Sequence, residues 1–464
     1  MRILLVQPRH ESELGFYDFI LLEPLGLELI GASLTGHETR LLDLEDLPRL
    51  EAIAADFAPR AAGVSCSFTV DTYAALDAAR RLKAAGVPFV FVGGHHASLS
   101  PADFQDPAVD AVVLGEGERT VADLVECLAA GDDPRRVAGL ALNRPEGQLT
   151  TPFRPQAARL DDLPAPDRSL SKPYRHRYHL ALRQPLATLE TARGCPYDCN
   201  FCSVWKFYGR RIRAKSPARV LAELADVAEE QVFLTDDNFL LDVERAEKIA
   251  ALVRQAGIRK RFMFQARSDT LVRHPEVIDA WQAVGLEAVF IGFEKIDPAG
   301  MAAVNKRNSV ENNERALHLL HRRGVGVWAS FIVDPDYAAP DFRRLREYVH
   351  RLGIRQPYFS VLTPLPGTEL AQQLKDHITT ANRELFDLLH AVVPTRLPLP
   401  EFYRELSRLY LSAYARSGYA MSSLLRTGGL ILSGRVRWSH LARFTRTVRH
   451  FTDPSLYLLA HGKR

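Results

Sequence analysis

Eight residues, Cys195-Pro-Tyr-Asp-Cys199-Asn-Phe-Cys202, constrain this chain more than any other stretch, because they place three of its five cysteines in one short loop. The loop is entered from an apolar run, Leu186–Leu189, through Thr191-Ala-Arg-Gly194. Gaps of three and two residues let such a loop curl around one face of an iron-sulfur cube, giving a thiolate to three irons and leaving the fourth without a protein ligand. That open iron is where chemistry can occur. Structural zinc would want four closed ligands and would have to recruit His176 or His179 from upstream. Disulfides fit less well, because the chain has only five cysteines and its opening MRILLVQPRH carries an apolar run too short for a secretory signal.

The C-x3-C-x2-C spacing with an aromatic, Phe201, before the last cysteine resembles the signature of the radical S-adenosylmethionine (SAM) enzymes. In that family three cysteines, here Cys195, Cys199 and Cys202, hold a 4Fe-4S cluster whose open iron is chelated by the amino and carboxylate groups of SAM. The resemblance implies reductive cleavage of SAM to a 5'-deoxyadenosyl radical, which takes hydrogen from an otherwise inert C–H bond. The protein supplies placement and exclusion of water. An electron donor such as flavodoxin or ferredoxin is implied with it.

At 464 residues, 47% hydrophobic and 25% charged, the chain is a folded α/β protein of two or three domains. Its apolar runs stop short of the ~18–20 residues that span a bilayer, so a cytoplasmic location is expected, with reducing conditions that suit free thiols. The net charge of +3 is unevenly placed. Residues 416–464 hold nine Lys/Arg against one acid, Asp453, which points to a single basic surface.

Residues 1–135 alternate short apolar strands (Ile3–Val6, Thr39–Leu44, Gly63–Cys66, Phe89–Val92, Ala111–Leu114) with helical stretches (Leu25–Leu34, Tyr73–Ala85, Val121–Ala130). This is the pattern of a doubly wound parallel sheet, whose ligands sit beyond the carboxyl ends of its strands. There the sequence places Ser65-Cys-Ser67, Gly93-Gly94-His95-His96 and Gly115-Glu-Gly117-Glu118. Ser65-x-Ser67 with Gly93-Gly94 resembles two of the three motifs of cobalamin-binding domains, in which serine meets the nucleotide tail and paired glycines pass close to it. The third, Asp-x-His-x-x-Gly, is unmatched: His10 follows the first strand, but Pro8 replaces the aspartate and Gly15 lies too far on. No histidine ligand to cobalt is therefore expected. Cys66 and Cys127 read as buried structural thiols.

We place a cobalamin-binding domain at 1–140, a hairpin and linker at 141–180 (the hairpin Val137–Thr151, then the proline-punctuated Leu160–Arg168), a barrel at 181–370 and a helical C-terminal domain at 371–464. The barrel strands are Leu186–Glu190, Gln231–Thr235, Phe262–Gln265, Ala288–Gly292, Gly326–Val333 and Tyr358–Leu362, making a partial (β/α)6 radical SAM barrel with its chemistry at the C-terminal strand ends. Asp236-Asp237-Asn238 stands where many relatives carry a Gly-Gly-Glu stretch for the SAM amino group. By the same resemblance Glu294 and Arg267 hold the SAM amino acid and ribose, and Phe201 lies beside the adenine.

Trp205-Lys-Phe-Tyr208-Gly-Arg-Arg-Ile-Arg-Ala-Lys215 interleaves aromatics with cations, a pattern that can stack on RNA. RNA methylthiotransferases need a second cysteine trio that Cys66 and Cys127 cannot supply, so contact with cobalamin or substrate is preferred and no nucleic-acid partner is expected. Near the C-terminus, Leu441, Phe444, Val448 and Phe451 form a stripe opposite Arg443, Arg446 and Arg449. Such a helix either lies on an anionic inner-membrane surface or packs on the barrel with a solvated basic face.

Together these features are expected in a cobalamin-dependent radical SAM C-methyltransferase acting on an unactivated carbon. The stretch from Cys199 to Tyr208 and the basic C-terminus look most like hopanoid C-3 methylases, which implies a hopanoid or other polycyclic lipid. The same domain order serves anaerobic magnesium-protoporphyrin ester cyclases and bacteriochlorophyll methylases. A non-catalytic cobalamin and iron-sulfur sensor is a further alternative, weighed against by the polar strand ends.

Overall fold

The computed structural model describes residues 1–10, 16–416 and 438–462. Gly15, Arg426, Arg435, Arg437, Lys463 and Arg464 lie outside the described residues, as do the side chains of Leu441 and Phe444.

Seven strands make the first sheet: β1 (Arg2–Val6), β2 (Glu38–Leu42), β3 (Ala61–Ser65), β4 (Phe89–Gly93), β5 (Ala111–Val113), β6 (Leu140–Arg144) and β7 (Gly147–Thr150). Their order is β2-β1-β3-β4-β5-β6-β7. The first five are parallel, in the flavodoxin-like arrangement whose ligand crevice opens where neighbouring strands lead off to opposite faces, here between β1 and β3. Helices cover both faces, which is why Ile3–Val6 and Val90–Val92 are buried throughout and read as continuous apolar runs. The hairpin expected to begin the linker is instead part of this sheet: β6 pairs antiparallel with β5 and β7 with β6. An uncovered β5 would leave a row of unpaired backbone groups, and the hairpin satisfies them.

The second sheet holds β8 (Leu186–Leu189), β9 (Gln231–Leu234), β10 (Arg261–Gln265), β11 (Leu286–Glu294), β12 (Gly326–Val333) and β13 (Gln356–Val361), all parallel and in sequential order. Helices pack outside it by apolar stripes. In Val310–Arg322, Ser309 caps the first turn by accepting from Asn312 N at 3.2 Å, and Val310, Asn313, Ala316, Leu317 and Leu320 are buried on one face. On the sheet's inner face Leu186, Phe233, Met263, Ala288 and Trp328 cluster against Phe19, Ile20 and Leu22, which arrive from the N-terminal domain.

Helix Leu399–Arg416 covers the last strand of the open barrel. Tyr410 Oη donates to Phe359 O at 2.6 Å and accepts from Phe359 N at 3.1 Å, and Val361 N reaches Leu388 O at 2.7 Å. Helix Trp438–Thr452 packs on it through Phe451, which is 4% exposed and stacks 4.9 Å from Tyr410. The described end of the C-terminal stripe therefore belongs to the protein core, because Tyr410, Tyr358 and Phe19 offer it an aromatic wall. Arg446 and Arg449 are exposed on the opposite side. Cys66 is fully buried, whereas Cys127, on the outer helix Gly117–Ala130, is only half-buried. Among the described residues no helix is long and apolar enough to cross a membrane.

A buried ionic junction joins the two sheets. Glu23, just before helix Leu25–Ser33 of the N-terminal domain, accepts from Arg168 at 2.9 Å and Arg175 at 2.6 Å in the linker, and from Thr188 Oγ1 at 2.8 Å in β8. Its side chain is fully buried. Without it, among the described residues, Arg168 keeps as counter-charge only Glu28, at 3.8 Å, and Arg175 only Glu28 and Glu229, so removing the shared close partner of both is a loss of about 3–5 kcal/mol. Glu23→Ala is expected to lower the calorimetric unfolding temperature and to expose the 151–180 linker to limited proteolysis, with both sheets retained by circular dichroism.

Candidate functional site

The cysteine loop is closed at its base by a two-residue antiparallel pairing of Ala192–Arg193 with Arg213–Ala214. Gly194 begins the loop at φ +93°, and a Cβ there would lie 2.1 Å from Arg211 O, so no other residue fits. Within the loop Cys202 N donates to Cys199 O, and Trp205 Nε1 donates to the same carbonyl at 3.0 Å. Asn200 Nδ2 donates to Ala303 O at 2.9 Å and Asn305 Nδ2 to Asp198 O at 2.9 Å, stitching the loop to the turn after β11. Burial raises all three thiols above the ordinary range, Cys202 to about 12, so they need a metal's charge to become thiolates. Of the two candidate fourth zinc ligands, His179 has both ring nitrogens engaged, with Arg177 O at 2.9 Å and Asp18 O at 3.1 Å, and His176 is exposed. Three thiols on one loop without that fourth donor suit a cubic cluster with an open corner.

The carboxyl ends of β9 and β11 face this loop. Asp236, buried, accepts from Thr191 N at 2.6 Å and Thr191 Oγ1 at 2.5 Å, so both its oxygens secure the segment leading into the loop. Asp237 accepts only a longer 3.3 Å bond from Gly194 N, and burial raises its carboxyl to about 6. Both amide atoms of Asn238 are buried with no partner, a site that calls for a polar ligand. Glu294 ends β11 at φ +60° and pairs with Lys306 at 2.6 Å. Arg267 donates to Lys306 O at 3.0 Å and Arg307 O at 2.7 Å and lies 3.7 Å from the Tyr197 ring centroid. Its role in this geometry is to fix the turn that carries Lys306. Asn305 and Arg307 both adopt positive φ, which aims Lys306 inward. Burial opposes the Lys306 charge, but Glu294 and Cys199 beside it raise its pKa. No sequence signal marked Lys306. Phe201 is half-buried at the turn between the second and third cysteines.

A cleft of about 480 Å³ lies between the carboxyl end of the first sheet and the mouth of the barrel. Ser65, Ser67, Gly93, Gly94 and His95 line it from one side; Thr188, Glu190 and Thr235, from the barrel strand ends, line it from the other. Gly94 sits at φ +123°, and a Cβ there would be 2.5 Å from Cys66 O, so the end of β4 packs directly on the backbone after β3 at the cleft wall and only glycine fits. His95 stacks on Phe207 at 4.5 Å, meets Ser203 Oγ at 2.8 Å, and is driven by burial to about 4, so it is neutral near pH 7. His96 is buried between Thr69 and Asp103 and does not line the cleft. The aromatic-cationic segment divides: Phe207 and Tyr208 line the cleft, while Lys206, Arg210 and Arg211 are exposed outside it.

The Gly115-Glu-Gly117-Glu118 turn after β5 grips the base of the cysteine loop. Arg193, 6% exposed, donates to Glu190 at 2.8 Å, Glu116 at 2.8 Å and Glu118 at 2.6 Å, and Arg213 also binds Glu116 at 2.6 Å. Gly94→Ala is expected to abolish cobalamin uptake, measured by absorbance after anaerobic reconstitution, and to leave bound iron unchanged because the cysteine loop hangs from other contacts.

Known proteins carry the same two domains in the same order. Residues 189–349 match the Radical SAM superfamily and residues 21–125 the B12 binding domain. The chain is 35% identical over 96% of its length to hopanoid C-3 methylase of Methylococcus capsulatus, covering 86% of that protein. Its fold resembles the cobalamin-dependent SAM radical enzyme OxsB with aqua-cobalamin bound (TM-score 0.70, 16% identity, 99% of this chain and 80% of that one). It also resembles the radical SAM methyltransferase TsrM of Kitasatospora setae with cobalamin and a [4Fe-4S] cluster bound (TM-score 0.66, 19% identity, 82% and 78%). The chain belongs to the cobalamin-binding radical SAM enzyme family, as a methyltransferase that uses a 4Fe-4S cluster, SAM and cobalamin.

Proposed function

We propose that this methyltransferase acts on an unactivated carbon of a hopanoid or a closely related polycyclic lipid. The single observation that carries this reading is the cleft shared by the glycine end of the first sheet and the barrel mouth. The glycine end of the first sheet would hold the methyl donor on one wall, and Arg193, Phe207 and Tyr208, which flank the cysteine loop, form part of the other. The match to a hopanoid C-3 methylase over nearly the whole chain supports the lipid class. Bound cluster and SAM supply the hydrogen-abstracting radical, and cobalamin supplies the methyl group.

The chain's own residues hold, orient and shield. Cys195, Cys199 and Cys202 hold the cluster. Lys306, neutralised on one side by Glu294, offers its charge to the SAM carboxylate. Asp237 and the unpartnered amide of Asn238 take the SAM amino end, and Phe201 lies by the adenine. Arg267 positions the Lys306 turn. Ser65, Ser67, Gly93 and Gly94 receive the cobalamin tail. A one-electron donor reduces the cluster. The exposed cations Arg446 and Arg449 give the protein a salt-sensitive hold on an anionic membrane surface, each worth about 1 kcal/mol.

Anaerobically reconstituted protein, incubated with SAM, reductant and a hopanoid in mixed micelles, is expected to yield a product heavier by one methylene. The variant combining Cys195→Ala, Cys199→Ala and Cys202→Ala is expected to lose both iron and product. Methylation of a chlorophyll precursor but of no hopanoid would contradict the lipid reading. Arg446→Glu with Arg449→Glu is expected to weaken binding to phosphatidylglycerol vesicles at least about thirtyfold at low salt, measured by sedimentation; unchanged binding would remove the membrane contact.

A further inference from the structure

Arg193, Phe207 and Tyr208, which flank the loop of the three cysteines, line the cleft. Outside the cleft, three cations are tied to the loop by their side chains and a fourth, Arg211, by its backbone. Arg210 and Arg307 both bind the carboxylate of Asp198, the residue before Cys199, at 2.5 and 2.8 Å, yet their side chains remain 51% and 61% exposed. Lys206 and Arg210 lie over the ring of Trp205, at 4.3 and 5.0 Å, whose indole donates to Cys199 O. Arg211 rests its carbonyl against Gly194, next to Cys195, and its side chain is exposed beside Ile212. Against these stand Asp198, buried and already shared, and Glu369, 3.7 Å from Lys206. The patch is net positive, and Trp205 and the Asp198–Cys199 backbone connect it to the cysteines.

An electron must reach the cluster from outside for each reductive cleavage of SAM, and the proposed function gives the cleft to cofactors and substrate. We infer that Lys206, Arg210, Arg211 and Arg307 form the docking surface for an acidic one-electron carrier protein, of the flavin or iron-sulfur type, that reduces the cluster through the outer wall of its loop. This rests on the radical SAM reading above. The carrier loses one electron, the cluster gains it, and no atom or proton is transferred. Cationic rims of this kind chiefly speed encounter with an anionic partner and lose that effect as salt rises.

The test uses the full-length reconstituted protein with reduced flavodoxin as probe. Lys206→Glu with Arg211→Glu avoids the two arginines that anchor Asp198. This variant is expected to keep its iron and its dithionite-driven formation of 5'-deoxyadenosine. Its flavodoxin-driven rate at low salt should fall about tenfold and depend less steeply on salt. Independently of any variant, carbodiimide should cross-link flavodoxin carboxylates to Lys206 of the unaltered protein, located by peptide mass spectrometry. An unchanged flavodoxin-driven rate, or cross-links elsewhere, would overturn the surface while leaving the activity standing. Absence of dithionite-driven cleavage in the unaltered protein would overturn the reading beneath it. Binding of single-stranded RNA that the variant loses, with no flavodoxin cross-link, would give the patch to nucleic acid instead.

Discussion

Three carboxylates, Glu116, Glu118 and Glu190, converge on one buried guanidinium, that of Arg193. Like charges at such distance in a poorly hydrated site repel strongly, and only a planar cation with several donors can satisfy all three at once. Arg193 stands two residues before Cys195, and Glu116 and Glu118 lie just after β5, at the start of helix Gly117–Ala130 of the N-terminal domain. The bond network therefore fixes the cysteine loop against the carboxyl end of the N-terminal sheet rather than against the barrel alone. Removing one partner of a buried network leaves the others charged and unpaired, a loss of about 3–5 kcal/mol, so the arrangement is held firmly although it adds little net stability.

The rest of the site is built the same way, by charges that hold backbone. Arg267 secures the turn of Lys306, Asp198 gathers Arg210 and Arg307, and Asp236 holds Thr191. Each fixes a segment that carries a ligand-bearing residue, and none needs to touch the reacting carbon. That division suits a protein whose cofactors perform the difficult steps and whose own contribution is distance and orientation.

Much of this was legible in the sequence. Buried parallel strands need apolar residues on both faces, so β3, β4 and β8 to β13 stood out as runs, and the thiol spacing identified the loop. Contacts across the fold were not legible: Arg193 meets Glu116 from 77 positions away, and nothing in local spacing announces such a pair. Neither was the choice between Asp236 and Asp237, because successive residues leaving a strand point to opposite sides and only the surroundings decide which is anchored. The hairpin at β6 and β7 read as a separate unit because its partner edge lies earlier in the chain. Phe451 illustrates a deeper ambiguity, since a helical stripe has the same period whether it meets lipid or a wall of tyrosines.

The most direct measurement of the central claim is the stoichiometry of an anaerobic reaction run with SAM carrying a trideuterated methyl group. If one SAM supplies the radical and a second supplies the methyl carried by cobalamin, each methylated product should bear all three deuterons. It should appear with equal amounts of 5'-deoxyadenosine and S-adenosylhomocysteine. Methylated product with S-adenosylhomocysteine but no 5'-deoxyadenosine would mean that methyl transfer proceeds without hydrogen abstraction, and would contradict the account.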